Sequence, residues 1–280
     1  MASMKKDNNK QIRPPLKWVG SKYRILNEII KRLPKGNRLI EPFAGSAVVS
    51  LNADYPEYII NDLNEDLINF YTTIQNNVDD FIEYSKKLFS DNRNQENAFY
   101  LLRDIFNHTS DNVLKASIFL YINKHGYNGL CRYNASGGLN VPFGRYTAPY
   151  FPEKEIRLFS EKLANATFAS SDFKVVLKNA KKGDVVYCDP PYVPLSTTSN
   201  FTAYSAGGFG QEQQERLAEL SLKLSLKGIP VIISNHYTPM SKILYKDARK
   251  YKVDVRRLIS CDGKNRNIVK EVIAVYSIKS

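Results

Sequence analysis

The chain has 280 residues, 43% of them hydrophobic and 24% charged, with a formal net charge of +12. These values suit a globular protein whose core needs no disulfide staples, and they exclude a low-complexity chain. No apolar run approaches the roughly 18–20 residues of a membrane span. The three cysteines and three histidines lack metal-ligand spacing, so no metal is expected.

Charge is segregated along the chain. Residues 1–24 and 246–270 each carry +6, whereas residues 51–112 carry −8. Residues 123–150 hold Lys124, Arg132 and Arg145 and no acid. Such a distribution suits a polyanion met on one face. The N-terminus, MASMKKDNNKQIR, has no apolar core of a secretory signal and reads as a disordered basic lead-in over residues 1–12. Scattered, odd-numbered cysteines (Cys131, Cys188, Cys261) suggest a reduced, cytoplasmic setting.

In chain order, Gly20-Ser21 predicts a turn with Ser21 as N-cap, and Tyr23, Ile25, Leu26, Ile29, Ile30 and Leu33 predict a helix ended by Pro34 and Gly36. Lys22 then sits in a first turn, where free N–H groups favour an anion, with Trp18 just before it. Residues 38–41 read as a strand that breaks at Pro42-Phe43-Ala44-Gly45-Ser46-Ala47 into a helix beginning near Val48. Strand, glycine turn and helix N-terminus form the first unit of a nucleotide-binding α/β sheet. The turn is not G-x-G-x-x-G, which fits an adenosine ligand without a pyrophosphate. A second strand, Tyr58–Asp62, ends in an acid placed either for ribose hydroxyls or as the N-cap of the next helix.

From Glu65 to about Leu120, helical stripes predict packing and no chemistry. Residues 123–150 are dense in Gly, Asn and Tyr, and Ser136-Gly137-Gly138 predicts a hairpin between 130–134 and 139–143. Tyr127, Asn128, Arg132 and Arg145 lie on or near it, and Arg and Asn are the residues that read guanine and adenine in a groove. A flexible surface loop is the competing reading.

Helix, strand and short helix follow over 151–164, 166–170 and 173–179. Val185-Val186-Tyr187-Cys188 then predicts a buried strand stopped by Asp189-Pro190-Pro191-Tyr192, since proline cannot donate to a ladder. This places a carboxylate, a stiff turn and an aromatic ring at a strand's carboxyl end, where open α/β sheets bind ligands. The polar segment to Phe209 reads as a lid. A helix at 211–226, a strand at 229–235, and a strand pair at 251–260 and 268–277 around the turn Cys261–Asn267 complete the chain and make the sheet mixed.

These motifs together resemble the bacterial DNA adenine-N6 methyltransferases of the Dam type. The matches run in family order: KWVGSK at Lys17–Lys22, EPFAGS at Glu41–Ser46, Asp62, YNGLCRYN at Tyr127–Asn134, NVPFGRY at Asn140–Tyr146, Asp189–Tyr192 and NFTAY at Asn200–Tyr204. The resemblance implies a Rossmann-like class I methyltransferase sheet, mixed, with a C-terminal antiparallel hairpin. It divides the chain into a catalytic domain (13–64 and 153–280) and an inserted recognition domain of helices and a β-hairpin (65–152). It implies S-adenosyl-L-methionine as methyl donor, S-adenosyl-L-homocysteine as product and adenine in GATC of double-stranded DNA as target. Trp18, Lys22, Phe43, Gly45, Ser46, Asp62 and Asp189 would line the cofactor site. Asp189, Pro190 and Tyr192 would act on the base. Lys17, Tyr127, Asn128, Leu130, Arg132, Asn134, Pro142 and Arg145 would meet DNA. A monomeric, cytoplasmic enzyme, bacterial or phage-encoded, is expected. A cytosine-N4 DNA methyltransferase, a catalytically silent DNA-binding regulator and an RNA methyltransferase are the alternatives. Two departures stand out: Ser21 and Ala47 occupy positions where the family often has glycine.

Overall fold

The computed structural model describes residues 11–193, 209–256 and 268–277. Most of the lead-in, the lid segment up to Gly208 with its NFTAY motif, and the turn at 261–267 lie outside the described residues.

Among the described residues, seven strands form one sheet in the order β3-β2-β1-β4-β5-β7-β6. They are β1 (Arg38–Glu41), β2 (Glu57–Asn61), β3 (Ala166–Ala169), β4 (Asp184–Cys188), β5 (Val231–His236), β6 (Arg249–Arg256) and β7 (Ile268–Tyr276). The first five pair in parallel, and β7 pairs antiparallel with both β5 and β6. This is the expected mixed, Rossmann-like sheet.

The helices are α1 (Leu26–Ile30), α2 (Val48–Asn52), α3 (Glu65–Asn76), α4 (Val78–Lys86), α5 (Glu96–His108), α6 (Asn112–His125), α7 (Glu153–Lys162), α8 (Phe173–Lys178), α9 (Gln211–Leu226) and α10 (Pro239–Leu244). Period-two alternation sends the strands' side chains into two cores. Leu39, Val185, Tyr187, Ile232 and Ile273 join α1–α7 on one face, and Ile40, Val186, Cys188, Ile233 and Val272 join α8–α10 on the other. Both faces are covered, so the central strands read as continuous apolar runs. The first core is continuous from the sheet into α3–α7: the ring of Tyr71 of α3 lies 5.6 Å from Phe168 of β3 and stacks on Phe159 of α7 at 4.7 Å between centroids.

Four local expectations need correction. Residues 22–33 do not form one helix, because Ile25 departs from helical geometry (φ −107°) between a 3-10 turn at Lys22–Arg24 and α1. Ser21 caps nothing; its Oγ accepts from Ser46 Oγ at 3.1 Å instead. The cap of α3 is Asn64, which accepts from Leu67 N, and not Asp62. Residues 130–143 turn back as expected but carry only the isolated bridges Tyr133↔Leu139 and Gly126↔Phe143. Side chains of α5 replace the missing ladder there: Asn107 both donates to Leu139 O and accepts from Leu139 N. Helix α10 had no counterpart in the sequence reading. It is set by a capping box between Thr238 and Ser241 with Pro239 following the cap.

Candidate active site

Strand parity gathers the site. Glu41 shares the face of Leu39, Asp189 that of Tyr187, His236 that of Ile232, and Glu271 that of Ile273. Four titratable groups therefore meet at one end of the sheet, on one face.

Asp189 keeps 21% of its side chain exposed, and its Oδ2 forms an ion pair with buried Lys22 Nζ at 2.9 Å. Its Oδ1 is buried without a hydrogen-bond partner among the described residues. Burial pushes the carboxyl up to about 6, against the opposing pull of Lys22. Glu41, wholly buried, accepts from Ser50 N at 2.7 Å and so ties β1 to α2. Burial pushes it up to about 8, with Asp189 adding to the rise.

Tyr192 follows the two prolines. Its hydroxyl donates to Glu271 Oε2 at 2.9 Å, Lys22 Nζ lies 4.5 Å from its ring centroid, and the His236 ring meets it edge-on at 4.6 Å. Neither Glu271 nor His236 was anticipated from sequence. The available signal was an acid two residues before core Ile273 on an otherwise apolar strand face.

The adjoining corner joins the first motif to the second. Asp62 accepts from Gly45 N (2.9 Å) and Asn64 N (3.0 Å), one bond to each oxygen. Burial raises its carboxyl, and those two backbone donors oppose the rise. Gly45 has φ +47°, and a Cβ there would come within 2.8 Å of the Trp18 indole. Glycine is needed both for the backbone and for Trp18. Ala47 also holds a left-handed conformation (φ 52°), the geometry for which glycine is favoured. Phe43 packs on Phe173 and Phe209. The structure thus brings Trp18, Lys22, Gly45, Ser46, Asp62, Asp189 and Tyr192 into one connected cluster.

The second group of expected residues forms a separate surface. Tyr127, Asn128, Arg132, Asn134, Pro142 and Arg145 are exposed and Leu130 is half-buried. Lys17 joins the two regions: its backbone exchanges two hydrogen bonds with the Asn123 side chain, and its Nζ lies 4.7 Å from the Tyr146 ring centroid. Tyr146 Oη accepts from Asn128 N at 2.9 Å. Arg132 Nε donates to Asn140 O, while Asn134 Oδ1 accepts from Ser136 N and Gly138 N and so shapes the turn. Arg145 pairs with Glu96 at 3.4 Å, away from the acid corner. Sequence reasoning also passed over Tyr133, which donates to Asp66 Oδ2 at 2.7 Å and to Asn64 Oδ1 at 3.2 Å, anchoring this surface on α3. Among the described residues, no group of three or more His, Cys, Asp or Glu could hold a metal ion, and no helix is long and apolar enough to cross a membrane.

The pattern of the D12 class N6 adenine-specific DNA methyltransferases matches residues 18–259. The chain is 48% identical over 268 residues to a DNA adenine methylase of Serratia marcescens, covering 95% of this chain and 99% of that protein. It is 46% identical over 267 residues to a DNA adenine methylase of Escherichia coli (strain K12), covering 95% and 96% of the two chains. A DNA adenine methylase of Vibrio cholerae serotype O1 (strain ATCC 39315 / El Tor Inaba N16961) is 42% identical over 269 residues, with 96% and 97% covered. The chain belongs to the D12 class of N6 adenine-specific DNA methyltransferases and is an adenine-specific DNA methyltransferase.

Proposed function

We propose that this enzyme moves a methyl group from S-adenosyl-L-methionine to N6 of an adenine flipped out of duplex DNA, in the sequence GATC. The observation that carries the chemistry is the buried Oδ1 of Asp189, which has no hydrogen-bond partner among the described residues, beside the Lys22 ion pair. A buried acceptor without a donor is costly, and a substrate amino group supplies the missing hydrogen.

The residues present fit the cofactor. Each Asp62 oxygen accepts one backbone N–H and retains a free lone pair, which suits ribose hydroxyls. Trp18 offers an apolar wall against Gly45, and Lys22 a buried cation for a carboxylate. When bound, S-adenosyl-L-methionine supplies an electrophilic methyl on a sulfonium.

The adenine amino group is a poor nucleophile because its lone pair is delocalised into the ring. In this mechanism Asp189 and the Pro190 carbonyl each accept one of its hydrogens, which localises the lone pair for in-line attack. Trp18, Lys22 and Asp62 would hold the methyl donor on the far side of the amino group, and Asp189 would take up the proton that the methylated nitrogen gives up. The gain lies in orientation and electrostatic placement. Extruding the base costs a few kcal/mol, and stacking on Tyr192 returns about 1–3 kcal/mol.

Residues 13–64 and 153–280 carry this chemistry in our reading, and 65–152 carry recognition. Arg132 reads guanine there, while Lys17, Tyr127, Asn128, Leu130, Asn134, Pro142 and Arg145 hold the duplex. The family and the 42–48% identities to DNA adenine methylases support the reading.

The test incubates the enzyme and S-adenosyl-L-methionine separately with unmethylated duplexes that contain GATC and with duplexes whose adenines all lie outside GATC, then measures N6-methyladenine in each digest by nucleoside mass spectrometry, with Asp189→Ala as control. N6-methyladenine confined to GATC and absent from the control is expected. Methylation spread over other adenines would overturn the sequence assignment, and an active control would overturn the role of Asp189.

A further inference from the structure

Glu271 stands where an acid needs a reason. It is half-buried on the strand face that carries core Ile273, one step from buried Val272. A carboxylate in such a place demands a hydrogen-bond partner. The antiparallel register sets Glu271 opposite His236, at the same sheet end as Asp189. From there Oε2 accepts the Tyr192 hydroxyl at 2.9 Å.

Tyr192 needs this support. It lies in no regular element, so no backbone ladder fixes its ring. Among the described residues its side chain meets Glu271 through a hydrogen bond, the Lys22 ammonium and the edge-on His236 ring, and its hydroxyl also favours the ionised form of neighbouring Asp189. The His236 Nδ1 in turn lies 2.8 Å from Val193 O, the residue after Tyr192. Of these contacts only the hydrogen bond is directional enough to set the ring's tilt.

We propose that Glu271 is a positioning residue for methyl transfer: by holding the Tyr192 hydroxyl from β7, it fixes the plane on which the target adenine stacks. The inference rests on the reading that Tyr192 faces the extruded base. Glu271 touches neither reacting atom. It acts by keeping the base's amino group in line with Asp189, where small misplacement is expensive in rate.

The experiment compares kcat and KM for duplex DNA in the wild type, Glu271→Gln, Glu271→Leu, Tyr192→Phe, Tyr192→Ala and the double variant Tyr192→Phe/Glu271→Leu, with equilibrium DNA binding as a measure of folded protein. Glutamine keeps an acceptor oxygen, so Glu271→Gln is expected within about threefold of wild type. Glu271→Leu and Tyr192→Phe are each expected to lose roughly tenfold or more in kcat, in line with a hydrogen bond to a charged group, with KM changed by less than about threefold. The double variant is expected to be no slower than the slower single variant, since one interaction is removed in all three. Multiplying effects in the double variant, or Glu271→Gln as slow as Glu271→Leu, would overturn the proposal. Wild-type kcat in Tyr192→Ala would overturn the underlying reading and the inference with it. A slow Tyr192→Ala beside a normal Glu271→Leu would overturn the inference alone.

Discussion

The acid corner and the exposed surface over 126–146 are built in opposite ways. The corner is built from titratable groups at strand ends: Glu41 and Glu271 stand at fixed registers of β1 and β7, and Asp189 directly follows β4, with Lys22 among them. The surface over 126–146 has almost no regular structure. It is shaped by left-handed residues at Asn128, Gly129 and Arg145 and by side chains of α3, α5 and α6 that bond its backbone or hydroxyls. In the proposed function the corner holds reacting atoms in line, and it draws rigidity from the sheet. The surface, in the same proposal, presents arginine and asparagine to DNA, and its neighbours fix the main chain and leave the tips exposed. Precision in one comes from burial, and in the other from anchoring beneath an exposed face.

The sharpest way to separate the two regions is Asp189→Ala. Turnover is expected to fall by about 10²–10⁴-fold, while equilibrium DNA binding stays near wild type. An equal loss of both would merge the two regions into one. On the other side, Arg132→Ala is expected to relax discrimination at one base pair by about 1–3 kcal/mol. Non-specific binding should change less. Competition between cognate and single-substituted duplexes measures this, and an unchanged preference would remove Arg132 from the readout.

Tyr133→Phe probes the anchoring beneath that surface. It removes the hydroxyl that Asp66 and Asn64 accept, at a cost of about 1–3 kcal/mol in stability because one partner is a charged carboxylate. The urea midpoint reads this, and no change would show that α3 does not hold the segment.

Proton linkage tests the corner. In the proposed mechanism Asp189 acts as an ionised carboxylate, and in the unliganded protein burial pushes its carboxyl up to about 6, so kcat/KM is expected to fall as pH drops through that value. Glu41 is pushed from 4.5 up to about 8, so the folded protein binds the extra proton across that window. Its contribution is fully present below 4.5 and is lost as pH rises through about 8. Glu41→Gln, which keeps an acceptor for Ser50 N, should flatten the stability profile between those limits. A wild-type slope in the variant would assign the dependence elsewhere.

The smallest effect belongs to Ala47→Gly. Relief of the left-handed strain, worth about 1–2 kcal/mol, is offset by loss of a fully buried methyl worth roughly 0.8 kcal/mol. Thermal unfolding is expected to shift by about 1 kcal/mol or less. A large loss would show that the methyl, and not the backbone, decides this position.

Sequence alone determined the elements whose signals are local. Valine runs stopped by Pro190-Pro191, the strand before Gly45 and the amphipathic run of α9 all announce themselves, because backbone preference and period are properties of neighbours in the chain. The same holds for Asp189, Tyr192, Lys22 and Asp62, which lie in short motifs. Long-range register was invisible. That Glu271 meets Tyr192 depends on β7 inserting antiparallel beside β5, 79 residues away in sequence from Tyr192. That Ser21 bonds Ser46, and does not cap a helix, depends on two motifs folding onto each other. That residues 130–143 lack a full ladder depends on Asn107 and Arg103 of α5 supplying the hydrogen bonds instead. In each case the deciding partner is distant in the chain, and only tertiary packing brings its charge or donor within reach.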